Sequence, residues 1–183
     1  RQQTCACSQP MITSQTYRNI LNFVMFELGW LACILLPQAW ALAVVGLFLL
    51  LHFVLVSQHK LEELQFIVIG TLAGSVLDGL WLRTGILADT SGAAVVTPPW
   101  LIALWAIFMT SLNHSLKWLG RNRLVMFLIV PIAGPFAYWS ASALGAVTLP
   151  SLLPSLLALA VGWLVLFPAL LSLRDALYPR LAQ

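Results

Sequence analysis

At 183 residues the chain has room for one domain or two. Hydrophobic residues make up 61% of it and charged residues 8%, with a mean hydropathy of +0.93. A water-facing domain carries about 25% charged residues, so a soluble globule is excluded. The net charge of +3 comes from basic residues set singly in short loops, with no patch or aromatic ladder, so nucleic acid is not an expected partner and the lipid bilayer is.

The chain opens on Arg1 rather than a methionine, and residues 1–17 are polar and aperiodic. Met11 is a candidate initiator, so this stretch is read as a disordered tail outside the fold. It lacks the apolar core of a signal peptide. Cys5 and Cys7 lie in it, and C-x-C alone supplies too few ligands for a zinc site. Cys33 lies in an apolar run and reads as a small packing residue. No disulfide framework is implied.

Six apolar runs follow, at 19–36, 39–57, 64–82, 100–117, 124–146 and 153–173. Each approaches the 20 residues or so that cross about 30 Å of hydrocarbon. Pro37-Gln38 makes the first two a tight hairpin. The polar string Gln58 to Glu63, the loop Thr84 to Pro99, the basic turn Gly120 to Arg123, and Pro150 to Pro154 mark the other breaks. Unbroken Leu, Ala, Val and Ile runs lack the alternation of a barrel strand, and in lipid only helices or closed barrels satisfy the backbone. The expected fold is all-α: a polytopic bundle of six transmembrane helices over 18–174, with a short tail at 175–183.

Of nine Lys and Arg, only Arg83 falls on the side opposite the N-terminus, so the positive-inside rule places both termini in the cytoplasm. Tyr17, Trp118 and Tyr178 fall at the inner interface and Trp40, Trp81 and Trp100 at the outer one, levels that aromatic belts favour.

Polar residues inside the runs are the candidate site, because a charge near the bilayer centre costs at least about 2.5–3.5 kcal/mol and needs a partner or water. Asn22, His52, Asn113 and His114 fall within one or two turns of one another in depth, with Glu27 about a turn further in. A Glu with two His suits a proton relay, a metal site or a buried hydrogen-bonded cluster. The last is the commonest of these, so no metal is expected. In the third run Gly70, Gly74 and Asp78 recur every four residues, a close-approach face carrying a carboxylate. Small residues in the fifth run (Ala133, Ala137, Ala141, Gly145 and, beside them, Gly134, Tyr138, Ser142) offer a matching stripe. Helices 3 and 5 are therefore expected to pack together, with Asp78 near the Tyr138 hydroxyl. Pro131 and Pro135 point to a kink in the fifth helix, or to a break lining a cavity. The sixth run carries little that is polar and reads as the most lipid-exposed.

The chain has no phosphate-binding glycine loop, H-E-x-x-H, G-x-S-x-G or C-x-x-C, so no cofactor is expected and ATP-driven transport by this chain alone is not.

Several strings taken together, Asn22-Phe23 with Glu27-Leu28-Gly29-Trp30, Leu77-Asp78, Leu112-Asn113-His114-Ser115-Leu116 and Gly134-Pro135-Phe136-Ala137-Tyr138-Trp139, resemble a family of small proteobacterial inner-membrane proteins, domain of unknown function 2878. The likeness covers about residues 18–173. It implies a multi-pass protein of the bacterial inner membrane, in a family sometimes labelled permease-like and sometimes encoded near fatty-acid-modifying enzymes. It also implies that Glu27, Asp78, Asn113, His114 and Tyr138 belong to family motifs, and it assigns no catalytic role. Three readings stay open: a permease-like or lipid-associated protein with a small-molecule or lipid ligand, a membrane-embedded lipid-modifying enzyme or its partner, and a structural subunit for another membrane protein.

Overall fold

The computed structural model describes residues 14–90 and 96–182. The expectations for residues 1–13, Cys5 and Cys7 among them, lie outside the described residues.

The described chain is all-α apart from one two-residue strand pair. The helices are α1 (Ser14–Leu35), α2 (Gln38–Leu55), α3 (Lys60–Thr84), α4 (Pro99–Ser111), α5 (Lys117–Arg121), α6 (Arg123–Ala143), α7 (Leu152–Leu177) and α8 (Pro179–Ala182). α1, α2, α3, α6 and α7 are long and apolar enough to cross a membrane. The fourth run differs from its expected single helix over 100–117. α4 stops after 13 residues, about 20 Å of rise, and an irregular turn over 112–116 leads into α5.

Local chemistry sets the ends. Pro98 and Pro99 start α4, where the ring costs no helical hydrogen bond. The Asn122 side chain caps α6 by accepting from the N–H groups of Leu124 and Val125. Gly85 ends α3 in the left-handed region with φ +73°, a conformation that a Cβ penalises. Beyond it β1 (Ala88–Asp89) pairs antiparallel with β2 (Val147–Thr148), tying the exit of α3 to the exit of α6. α1 begins at Ser14, inside the stretch read as tail, and α7 runs to Leu177 with Arg174 buried.

α4 is the hub. It packs against α1, α2 and α3, while α6 packs against α7 and α3 also meets α7. The Gly70–Gly74 face of α3 therefore meets α4 and not the fifth run, as the stripes suggested. A Cβ on Gly70 would collide with the Met109 side chain, and one on Gly74 with the Trp105 ring. The small-residue stripe of α6 serves α7, where the Trp163 ring lies over Gly134. One logic governs both contacts: without a hydrophobic force between helices in lipid, close packing supplies the attraction, and a glycine lets a large ring approach the backbone.

Three further expectations are decided. Of the two alternatives for Pro131 and Pro135 the break is absent, α6 being one continuous helix through both, because neighbouring groups and small adjustments tolerate proline in membrane helices. The least buried long helix is α2, with only Ala41, Val45 and His52 buried, whereas α7 buries Ser155, Leu159, Trp163, Phe167, Leu170, Leu171 and Arg174. Trp81 belongs to the core rather than to an interfacial belt. It meets the Tyr138 ring edge-on, with centroids 5.6 Å apart.

Gly74→Leu is expected to destabilise the bundle by about 1–3 kcal/mol or more through overpacking against Trp105. Gly46→Ala, at a glycine with open space around it, is expected to leave unfolding in detergent within about 0.5 kcal/mol of the parent. Equal effects of the two substitutions would refute the close-approach role of Gly74.

Candidate functional site

Two buried polar clusters stand at the two ends of α3. Both depend on one face of that helix, since Glu63, Ile67, Gly70, Gly74 and Asp78 are all buried against neighbours.

At the inner end, the Glu63 Oε1 atom lies 3.1 Å from His52 Nε2 and 2.8 Å from His114 Nε2. The carboxylate can only accept, so both imidazoles donate to it. His52 and Glu63 are 0% and 1% exposed and His114 is 9% exposed. Asn22 fixes the arrangement from α1. Its Oδ1 accepts from the Ser115 Oγ at 2.7 Å and the Ser115 N–H at 3.3 Å, so its amide nitrogen is left to donate to Thr110 Oγ at 3.0 Å and to face His52 Nδ1 at 3.4 Å. With a donor facing Nδ1, the His52 proton sits on Nε2, the atom that donates to Glu63. Glu63 lies in the first turn of α3, where the helix dipole favours an anion.

This cluster accounts for the break in the fourth run. From the irregular turn over 112–116, His114 reaches Glu63 and Ser115 reaches Asn22. The irregular backbone is covered: the Ser115 N–H goes to Asn22, and the Leu112 carbonyl accepts from Arg174 Nη1 at 3.2 Å. Non-helical backbone at membrane depth needs such partners from the protein.

At the outer end, the fully buried Asp78 accepts from the Tyr138 hydroxyl at 2.5 Å and from Trp105 Nε1 at 2.6 Å. The Asp78–Tyr138 contact thus forms even though α3 and α6 are not the close-packed pair. The reach of the tyrosine bridges them.

The candidate residues therefore divide. Asn22, His52 and His114 converge on the inner cluster, while Asp78 and Tyr138 form the outer one. Asn113 is buried but neither end of its amide has a partner among the described residues. Glu27 does not join the histidines. Five residues beyond Asn22, it points about 140° round α1 and lines a groove instead. The carboxylate of the inner cluster is Glu63, which the sequence reading left in the polar string before the third run. Its signal was the spacing: the Asp78, Gly74, Gly70 stripe continued back through Ile67 lands on Glu63.

The groove has a volume of about 540 Å³ and lies between α1 and α4 on one side and α6 and α7 on the other. Aromatic rings dominate its wall, among them Phe26, Trp30, Trp105, Phe108 and Trp163, and Glu27 is its single carboxylate. Trp105 and Tyr138 present their rings to it and their polar atoms to Asp78 behind. The Trp163 Nε1 has no partner among the described residues.

Tyr138→Phe is expected to cost about 1–2 kcal/mol, since it leaves Asp78 with one donor fewer in a buried site. Asp78→Asn combined with Tyr138→Phe is expected to cost less than the sum of the singles. Reversible unfolding in mixed detergent measures both, and additive effects would refute the coupling.

No curated protein and no solved structure matches the chain. A family model described as protein of unknown function, DUF2878, matches residues 19–169, which span α2 to α6 whole with most of α1 and α7. The chain belongs to that family.

Proposed function

We propose that this protein is a permease-like, lipid-handling integral protein of the bacterial inner membrane. In this reading it crosses the membrane six times, keeps both ends in the cytoplasm, and holds an apolar chain of lipid type in the groove between α1/α4 and α6/α7. The groove carries the reading. Its volume of about 540 Å³ falls within the range of ligand pockets, about 300–1,000 Å³. Its wall is apolar and aromatic except for Glu27 and a few hydroxyls, which suits an acyl chain bearing one polar group that faces the carboxylate. Small residues, Ala133 and Ala137, line the α6 side and leave the width for a chain.

Six crossings are supported by α4, the covered turn and α5 acting together over 99–121, and by the placement of eight of nine Lys and Arg on the side of the N-terminus. Cysteines introduced at Gln58 and Arg121 are expected to label from the cytoplasmic face and one at Ser151 from the other. Labelling of Gln58 and Arg121 from opposite faces would remove the six-span arrangement.

A second reading, a membrane-embedded enzyme acting on lipid chains, draws on the His52–Glu63–His114 cluster, which holds acid and base groups within hydrogen-bond reach.

Five of the eight tryptophans line the groove, which supplies a direct test of the ligand. A brominated fatty acid, titrated into the detergent-solubilised protein, is expected to quench more than about half of the tryptophan emission, as proximity to those rings requires. Ala133→Phe with Ala137→Phe, filling the groove, is expected to weaken that quenching at least about tenfold in concentration. Equal quenching of parent and filled variant would overturn the groove as a lipid site and leave the enzyme reading on the inner cluster and a structural subunit as the surviving alternatives.

A further inference from the structure

The inner cluster carries an inference that stands independently of the groove. We propose that His52, Glu63 and His114 form a binding site for a divalent transition-metal ion, with Zn²⁺ as the best chemical match. The sequence reading took a buried hydrogen-bonded cluster as the commonest use of a Glu with two His and so expected no metal; the structure supplies that donor set with Glu63 in the place of Glu27.

One donor atom from each of His52, Glu63 and His114 lies within 4.8 Å of the other two. A tetrahedral ion with bonds of about 2.0–2.2 Å holds its ligand atoms about 3.3–3.5 Å apart. The two N···O separations, 2.8 and 3.1 Å, need to open by about half an ångström, and the two rings, with centroids 5.1 Å apart, must bring their nitrogens to the same spacing. Two imidazoles and one carboxylate, with a fourth position left for water or a substrate group, are a donor set that zinc takes in catalytic sites. Imidazole selects against Mg²⁺ and Ca²⁺, which prefer all-oxygen shells. The carboxylate offsets one of the two positive charges of the ion in a buried site.

The surrounding hydrogen bonds show how the site would load. In the hydrogen-bonded state each imidazole donates through Nε2. Coordination requires that lone pair, so each proton moves from Nε2 to Nδ1, with no net proton lost. His114 Nδ1 has no partner among the described residues, so nothing in the described protein opposes the shift there. His52 Nδ1 faces the Asn22 amide nitrogen, a donor, and would then carry a proton itself. Asn22 must turn its amide over so that Oδ1 accepts from His52, with Ser115 Oγ and Thr110 Oγ exchanging donor and acceptor roles to match. The turn forfeits the 3.3 Å bond from the Ser115 N–H and draws the Thr110 hydroxyl proton away from the Ile107 carbonyl, to which it donates at 2.7 Å. Asn22 therefore tunes the affinity from outside the ligand set, and a carboxylate in its place would accept from His52 outright.

The test uses the full-length, untagged chain in detergent, stripped with chelator and supplied with Zn²⁺ or Co²⁺ alone. The expected result is one ion per chain by elemental analysis, with the intense visible absorption of four-coordinate Co²⁺. Glu63→Gln and His114→Gln are expected to weaken binding by more than about 100-fold, and Asn22→Asp to tighten it by about 10-fold. Cys5→Ser with Cys7→Ser is expected to change nothing. Absence of a stoichiometric ion in the parent protein, a reading that needs no variant to fold, would overturn the proposal. So would binding that survives Glu63→Gln and His114→Gln, or that disappears with the two cysteines. The quenching by brominated fatty acid reports on the groove separately, so either proposal can fail without the other.

Discussion

A carboxylate placed in hydrocarbon must find its hydrogen-bond donors within the protein, and α3 carries two, Glu63 and Asp78, on one face. The rest of the architecture follows from satisfying them. Their fifteen-residue separation spans about 22 Å along the helix, so they sit at opposite ends of the bundle and draw on different neighbours. Between them Gly70 and Gly74 let α4 seat deeply enough for its Trp105 to reach Asp78. Charge and close approach are thus two aspects of one helix face.

The two clusters are built differently. Asp78 is held by Tyr138 and Trp105, whose rings form part of the groove wall, so the groove wall and the buried carboxylate share the same two side chains. Glu63 is held by two histidines, groups that can hold a proton or a metal ion in the same place. The inner cluster pairs a carboxylate with two imidazoles, the outer one a carboxylate with a hydroxyl and an indole N–H. A further buried charged residue, Arg174, joins the two parts of the bundle. It reaches from α7 to the Leu112 carbonyl and pairs with Asp175 at 2.8 Å, covering the broken backbone from below.

Local pattern and tertiary reach account for different features of the site. Hydropathy marked the five long apolar helices because lipid imposes an unbroken apolar stretch on any crossing helix. Depth along each run, at a fixed rise per residue, is likewise a local quantity, and it set Asn22, His52 and His114 at one level before any contact was known. Helix azimuth is not local. Glu27 shares that neighbourhood in depth but faces elsewhere, and Glu63, at a run's polar edge, turns inward because the helix extends back to Lys60. Neighbouring Glu62 turns outward to Arg180, 3.2 Å away.

From its sequence this protein is determined to be a helical membrane protein with few ionisable groups, because solvent chemistry acts on composition and run length residue by residue. The glycine stripe of α3 likewise announced a close contact. Which helix fills that contact, where the fourth run breaks, and which carboxylate meets the histidines were decided only in the folded bundle. In oil many helix pairings bury apolar surface equally well, and the choice falls to the few polar side chains that must meet, whose partners lie up to 93 residues away in the chain.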